Sequence, residues 1–294
     1  MVSRGADGEI MTGEPLSIRP AGTTADQLAA YAGLLNTTFA TDTFTVEGLA
    51  WRYRDNPVGQ VVGADAWDGE RLAAHYVACP LEARIDGRTV KGLLSLNTAT
   101  HPAYQGRGLF TTLAERAYAQ GTAAGYAFVI GVANANSTPG FLKKLSFQYL
   151  DRLKAGVLVS PPRRFAHVDV QYQGAWRDDL LAWRLANPAG DYVAARRDGL
   201  IGVWARTHLS FIRCGAFLPD EGQVLPGGGK APLTATLFLG LEPRMMLGRQ
   251  GFLPVPEALR PSPLNLIWRA LSDGAPKALH SDAVALNFLD FDPY

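Results

Sequence analysis

Only two cysteines, Cys79 and Cys214, occur among the 294 residues, and they stand far apart in the chain. That scarcity argues against a disulfide-stapled scaffold, and both read as buried apolar fillers of a protein kept in a reducing, cytoplasmic setting. No apolar run approaches the ~20 residues that a membrane-spanning helix requires. Charge bias is lacking too: 28 Lys and Arg against 27 Asp and Glu leave a net charge of +1. Without a block of one sign, neither a nucleic-acid surface nor an anionic-membrane surface is expected, and no metal site is expected either. The opening stretch "MVSRGADGEIMTGEP" has an arginine but no apolar h-region. It reads as a disordered leader over residues 1–15, not as a signal peptide.

What is present suffices for a sizeable core. Hydrophobic residues make up 47% and charged residues 19%, and the length suggests two domains or one large one. A short strand is expected at Leu16 to Pro20 and a helix from Thr24 to Leu35. Apolar residues then alternate or run in short blocks broken by Asp68-Gly69 and Asp86-Gly87. Asp-Gly between extended runs is a hairpin signal, because both turn positions favour φ > 0. Three antiparallel strands follow, at about 61–67, 71–85 and 88–100. From Leu109 to Ala124 the period becomes helical, with Gly125 as the stop. "YAFVIGVAN" is a buried strand, and "STPGFLKKLS" a short helix with Ser137 as its N-cap. "FQYLDRLKAGVLVS" is one further strand, ended by a linker at Pro161 to Arg164. This order is α+β, not a doubly wound sheet.

An internal repeat sets the domain count. "LAWRYRDNPVG" (Leu49 to Gly59) returns as "LAWRLANPAG" (Leu181 to Gly190), and each copy is followed by a strand-like run and Asp-Gly. "TLFLGLEPRMMLGRQGFLPV" repeats the rhythm of "FVIGVANANSTPGFLKKLSFQYL". The halves are therefore expected to be duplicates, residues 16–160 and 165–294. The second has no counterpart of "YQGRG". Its "LPGGGKAP" (Leu225 to Pro232) lacks a following helix start and reads as a hairpin tip. Trp51 and Tyr53 of the first repeat, with Asn56 as a polar partner, could stack on a sugar or nucleobase, but their echo at Trp183 favours a repeated structural wedge.

"HPAYQGRGLF", His101 to Phe110, lies where a strand delivers the chain to a helix. The first amides of that helix have no internal partner and carry the positive dipole end. Gly106 and Gly108 let backbone approach a ligand and Arg107 adds a cation, so the loop suits a phosphate or pyrophosphate. The alternative is a tight turn with glycine serving geometry alone. A dinucleotide fingerprint is excluded because Thr111 stands where a third small residue belongs, and a P-loop because no Gly-Lys-Ser/Thr follows.

"THPAYQGRGLFTTLAERA" resembles the acetyl-CoA-binding motif of the GNAT superfamily of N-acetyltransferases, Gln/Arg-x-x-Gly-x-Gly/Ala. Gln105 and Gly108 match it, and Phe110 departs at the last position. "NANSTPGFLKKLSF" resembles the family's second motif, with Asn134 and Ser137 in place and Ser146 where a glycine is usual. The resemblance implies two GNAT-like domains, each a mixed, mostly antiparallel sheet flanked by helices, with a splayed parallel strand pair in the first. It also implies an acetyl-CoA or other acyl-CoA co-substrate. The coenzyme pyrophosphate would lie on the amides of Gln105, Gly106, Arg107, Gly108, Leu109 and Phe110. Its pantetheine would run along Thr98, Ala99 and Thr100, with Asn134 or Asn136 at the far end and Ser137 nearby.

Acyl transfer from a thioester to an amine needs a neutral amine, a polarised carbonyl and a proton for the thiolate. Many relatives protonate the thiolate with a tyrosine at the position of Leu142. Candidate catalytic residues are Asn97, His75 and Glu82, each with a structural alternative, while His101 before Pro102 reads as a turn residue. The expected function is N-acylation of a primary amine on a small molecule, such as a free or nucleotide-linked amino sugar, in a ternary complex. The protein would be a monomer or homodimer with an active first half and a degenerate second half. The alternative function is a non-catalytic CoA-binding regulatory or assembly protein of the same fold.

Overall fold

The computed structural model describes residues 15–227, 229–260 and 262–292. The leader expected over 1–15 therefore lies outside the described residues except for its last position. The first half runs β1 (Ser17–Pro20), α1 (Ala25–Phe39), α2 (Val46–Tyr53), β2 (Val62–Asp68), β3 (Arg71–Ile85), β4 (Arg88–Thr100), α3 (Leu109–Ala123), β5 (Phe128–Ala133), α4 (Thr138–Lys144), β6 (Gln148–Arg152) and β7 (Lys154–Leu158). The second runs β8 (Tyr172–Gly174), α5 (Asp178–Leu185), β9 (Tyr192–Arg197), β10 (Leu200–Arg206), β11 (Ile212–Pro219), β12 (Ala235–Leu241), β13 (Phe252–Pro254), β14 (Asn265–Ala270), β15 (Val284–Asn287) and α6 (Phe288–Phe291).

Local chemistry accounts for most boundaries. Thr24 and Gln27 form a reciprocal capping box that starts α1. Asp86-Gly87 and Asp198-Gly199 both take positive φ at the two turn positions, as the tight hairpins β3–β4 and β9–β10 demand. The first hairpin turns one residue later than its Asp-Gly suggests, on Gly69 and Glu70. Three helices are absent from the sequence reading: α6, and α2 and α5, which carry the "LAWR" repeat. In α2, Leu49, Ala50, Trp51 and Tyr53 are all buried. Val46 and Glu47 at its start are exposed, and an apolar stripe that lasts little more than two turns is too short to register as a period.

β2, β3 and β4 form the expected antiparallel meander, and β4 pairs in parallel with β5. α3 and α4, the latter through Phe141, cover one face over Tyr76, Leu93 and Val129. α1 and α2 cover the other over Leu72, Val77 and Cys79. Both cysteines are buried, and they do not form a disulfide.

The stretch expected as one strand over 147–160 is two strands that separate after Leu153. β6 pairs with β14 of the second half, which lies between β6 and β5. β7 crosses the other way and lies between β12 and β13. Each half thus lends a strand to the other, and the sheet path from β6 to β9 is continuous. β11 and β12 form a second parallel pair, matching β4 and β5. The connection between them carries no helix, so Leu225 to Pro232 belongs to a crossover and not to a hairpin tip; residue 228 within it is outside the described residues.

Candidate active site

The loop after β4 is built around Tyr104, which is 1% exposed. Its hydroxyl donates to Asp68 at 2.7 Å, and Arg71 and Arg107 lie over its ring at 5.9 and 5.7 Å. His101 is a turn residue, as its place before proline suggests, and Arg71 lies 2.9 Å from its Nε2. Gly106 and Gly108 adopt φ of 76° and 73°, and a Cβ at either would meet no atom within 4 Å. Backbone conformation, not crowding, calls for glycine, and the space in front of the loop is open. Gly108 is the N-cap of α3. The first backbone bond of the helix runs from Thr112 to Gly108. Among the described residues, no protein group accepts from the amides of Gly106 to Thr111. Gln105 is different, because its amide closes the preceding turn on Pro102. The cradle therefore begins one residue later than expected. Phe110 contributes its amide while its ring packs 5.1 Å from Phe141, so the departure from the motif leaves the donor in place.

Upstream, β4 carries a bulge. Ala99 opposes His75 and Leu96 opposes Val77, so Asn97 and Thr98 together face the single residue Tyr76. Asn97 sits at φ of 49°. A bulge bends its strand and increases local twist. Accordingly, parallel pairing with β5 ends at Ser95 opposite Gly131, although both strands continue. β5 stays paired on its far edge, to β14. A gap thus opens along Thr98, Ala99 and Thr100, whose other edge remains paired with β3 at Ala99 and Thr100.

Behind the bulge lies a buried polar chain. His75 Nδ1 is 2.6 Å from Asp65 Oδ1, and both residues are 0% exposed. The Tyr31 hydroxyl donates to the other Asp65 oxygen at 2.6 Å, and its ring stacks 4.0 Å from that of His75. His75 Nε2 is 3.3 Å from the Tyr53 hydroxyl, which accepts from Asn97 Nδ2 at 3.0 Å. Burial pushes the Tyr53 phenol well above its ordinary range, so it stays protonated. Asn97 and His75, expected independently, are therefore linked through Tyr53. Asp65 and Tyr31 were missed. The signal for Asp65 was a lone carboxylate in the apolar run "VVGADAW".

A cleft of about 460 Å³ opens in front of Asn97, between α2 and the second half, lined by Thr45, Trp51, Arg52, Asn97, Asn187 and Asp292. Its wall is two-fold in character. Trp51 and Trp183 stack at 4.6 Å, and each indole donates to the other's backbone carbonyl, at 3.0 and 3.1 Å. This is the structural wedge that the repeat suggested. Asp292 gathers Arg52, Arg184, Asn187 and Tyr192 around one buried carboxylate.

Other expected site residues lie elsewhere or are engaged. Glu82 is not brought to the site: it lies seven residues from His75 along β3, roughly 23 Å at strand rise, and pairs with Arg177 of the second half. Asn134 accepts from the Ser137 amide at 2.9 Å and the Ser137 hydroxyl at 3.0 Å. The Asn134 side chain thus closes the turn before α4, and Ser137, expected as the cap, makes no side-chain cap bond. Asn136 is exposed in the same turn. Leu142 packs against the core beneath α3.

A search of curated proteins finds no match. The family model described as an acetyltransferase (GNAT) domain matches residues 18–150. Among solved structures, the chain is similar to a GCN5-related N-acetyltransferase from Anabaena variabilis (9% identity, TM-score 0.56, 87% of this chain and 73% of that one). It is similar to Saccharomyces cerevisiae N-myristoyltransferase with bound myristoyl-CoA (10%, 0.57, 94% and 92%). It also resembles a putative acetyltransferase from Pyrococcus horikoshii (12%, 0.53, 93% and 96%). At these identities the likenesses speak to the fold, a mixed, mostly antiparallel α+β architecture that extends over both halves. The glycine loop, the bulge and the splayed strands all fall within residues 18–150, the segment that matches the acetyltransferase (GNAT) domain model.

Proposed function

We propose that the protein moves an acetyl or other short acyl group from its CoA thioester to the primary amine of a small molecule, with free or nucleotide-linked amino sugars as the first acceptors to test. The observation that carries this reading is the run of open amides from Gly106 to Thr111, next to a parted strand pair that leads to Asn97 and the cleft. Pyrophosphate oxygens would accept from the loop amides. The pantetheine amides would pair with the free edge of β4 at Thr98 to Thr100, as a peptide adds to a sheet. Asn134 and Ser137 then support the coenzyme through the shape of their turn, and Asn136 is the side chain free to reach it.

Residues 16–160 form the active unit in this reading, and 165–294 a degenerate copy that supplies Asn187 and Asp292 to the acceptor wall. The amine attacks the thioester carbonyl within the ternary complex. A C–N bond forms, the C–S bond breaks, and the proton shed by the amine ends on the CoA sulfur. Backbone near the bulge polarises the carbonyl. The reaction is cytoplasmic in this reading, and among the described residues no helix is long and apolar enough to cross a membrane.

Leu142 at the usual tyrosine position favours a second reading, a non-catalytic CoA-binding protein. Colorimetric release of free CoA from acetyl-CoA separates the two, using glucosamine, a UDP-linked amino sugar, spermidine and phenethylamine as acceptors. Turnover with any of them supports acyl transfer. Retained CoA binding without turnover supports the second reading.

A further inference from the structure

We propose that Asp65, His75 and Tyr53 are positioning residues that fix which face of the Asn97 amide meets the acceptor, and thereby select a group that donates a hydrogen bond. The inference rests on the acyltransferase reading and assigns acceptor recognition to a polarity set deep in the core. An ionised carboxylate only accepts, so Asp65 places a hydrogen on His75 Nδ1 across their 2.6 Å contact. An amide nitrogen only donates, so Asn97 Nδ2 uses a lone pair of the Tyr53 oxygen at 3.0 Å. The one phenolic hydrogen of Tyr53 is then left for His75 Nε2, the ring nitrogen that faces it at 3.3 Å. Each link leaves the next a single option.

At the end of the chain stands Asn97 Oδ1. No donor among the described residues reaches it, and it is not one of the buried unpaired atoms, which are Thr38 Oγ1, Arg184 Nε and Thr234 Oγ1. Asn97 lines the cleft. Its carbonyl oxygen is thus the face shown to the acceptor, and it suits the N–H of an amine poised for attack. The opposite end is also fixed, since Tyr31 accepts from the Gly22 amide at 3.1 Å and donates to Asp65.

The fold itself does not require this chain. In the duplicated hairpin β9–β10, the cross-strand positions that correspond to Asp65 opposite His75 are apolar, Ala194 facing Val203 and Ala195 facing Gly202. The half without the glycine loop is also the half without the relay. A buried polar network is costly unless every member is satisfied. Its presence in only one of two like hairpins points to the site that this half carries.

Asp65→Asn keeps the shape and reverses the polarity. Tyr31 holds the new Oδ1, the new amide donates to His75 Nδ1, and the ring hydrogen moves to Nε2. Tyr53 then donates to Asn97 Oδ1, and the amide turns its Nδ2 to the cleft. With acetyl-CoA and the best amine of the panel above, kcat/KM for the amine should fall on the order of 10- to 100-fold while KM for acetyl-CoA holds. Nitrogen-15 NMR of labelled protein should show His75 changing from the Nδ1–H to the Nε2–H tautomer. Adding Asn97→Asp to that variant supplies a carboxylate that accepts from Tyr53 and still offers an acceptor to the cleft, and should restore at least tenfold.

Wild-type kcat/KM in Asp65→Asn, an unchanged tautomer, or no recovery in the double variant would overturn the proposal. Should Asp65→Asn fail to fold, Tyr53→Phe frees the Asn97 amide without touching Asp65. An amine kcat/KM equal to wild type there would overturn it, and a tenfold loss would support it. Absence of any amine turnover by the wild-type protein sinks the acyltransferase reading instead, and the tautomer measurement then decides the polarity by itself.

Discussion

Gly108 offers a test of the coenzyme cradle in which charge can be separated from conformation. The residue is exposed, sits at φ of 73°, and has no atom within 4 Å of where a Cβ would lie. Asn and Asp tolerate the left-handed region better than most residues, so both replacements should fold. An aspartate at a helix N-terminus gains about 0.3–1 kcal/mol from the dipole, so the apo Asp variant should melt no lower than the Asn variant. Coenzyme reverses that order. A carboxylate roughly 5 Å from one pyrophosphate charge costs about 1–3 kcal/mol for an effective dielectric between 80 and 20. Exposure places this site toward the low end, and two phosphates bring the sum to about 2 kcal/mol, or more than tenfold in Kd. Titration calorimetry with CoA should therefore show Gly108→Asp binding at least tenfold more weakly than Gly108→Asn. The difference should narrow between about 0.05 and 0.5 M salt as screening shortens to a few ångströms. Equal CoA affinity for the two variants would refute the placement of the pyrophosphate on this loop.

Burial raises the Asp290 carboxyl from 3.8 to about 7, against the lowering effect of the Asn287 amide. The native protein then keeps a proton that the unfolded chain releases, so stability falls as pH rises between about 4 and about 7 and is level above that; urea unfolding should show this slope, and Asp290→Asn should flatten it. Trp183→Ala removes one half of the indole pair stacked at 4.6 Å and should cost about 3–5 kcal/mol, as for other large aromatic truncations, read as a lower denaturant midpoint. Asp292→Ala leaves Arg184, whose guanidinium burial already disfavours its charge, without its partner at 2.9 Å. A loss of about 3–5 kcal/mol is expected, and a change within 1 kcal/mol would mean that water reaches the arginine.

Features governed by short-range rules were legible in the amino-acid order. Asp-Gly dipeptides marked two tight turns, a helical period marked α3, and Gly106, Arg107 and Gly108 at a strand-to-helix junction marked the amide cradle. Such signals work because a turn's φ values and a helix's unpaired N–H groups are set within a few residues. The repeat at Trp51 and Trp183 marked two like segments of the chain, but not that their indoles would stack on each other across 132 positions.

How the two halves are joined followed from long-range pairing. An isolated strand carries no mark of the edge it will pair with, so the reciprocal exchange of β7 and β14 could not be read from "FQYLDRLKAGVLVS". The same holds for the relay. Asp65, His75, Tyr53 and Asn97 come from three strands and a helix, and they become one hydrogen-bonded chain only because hairpin register and the β4 bulge place them in line. Glu82 lies on the same strand as His75 and looks equally eligible in sequence, yet its position further along β3 faces it to Arg177. Residue type restricts what chemistry a position can perform, and register and packing decide which of those positions share a site.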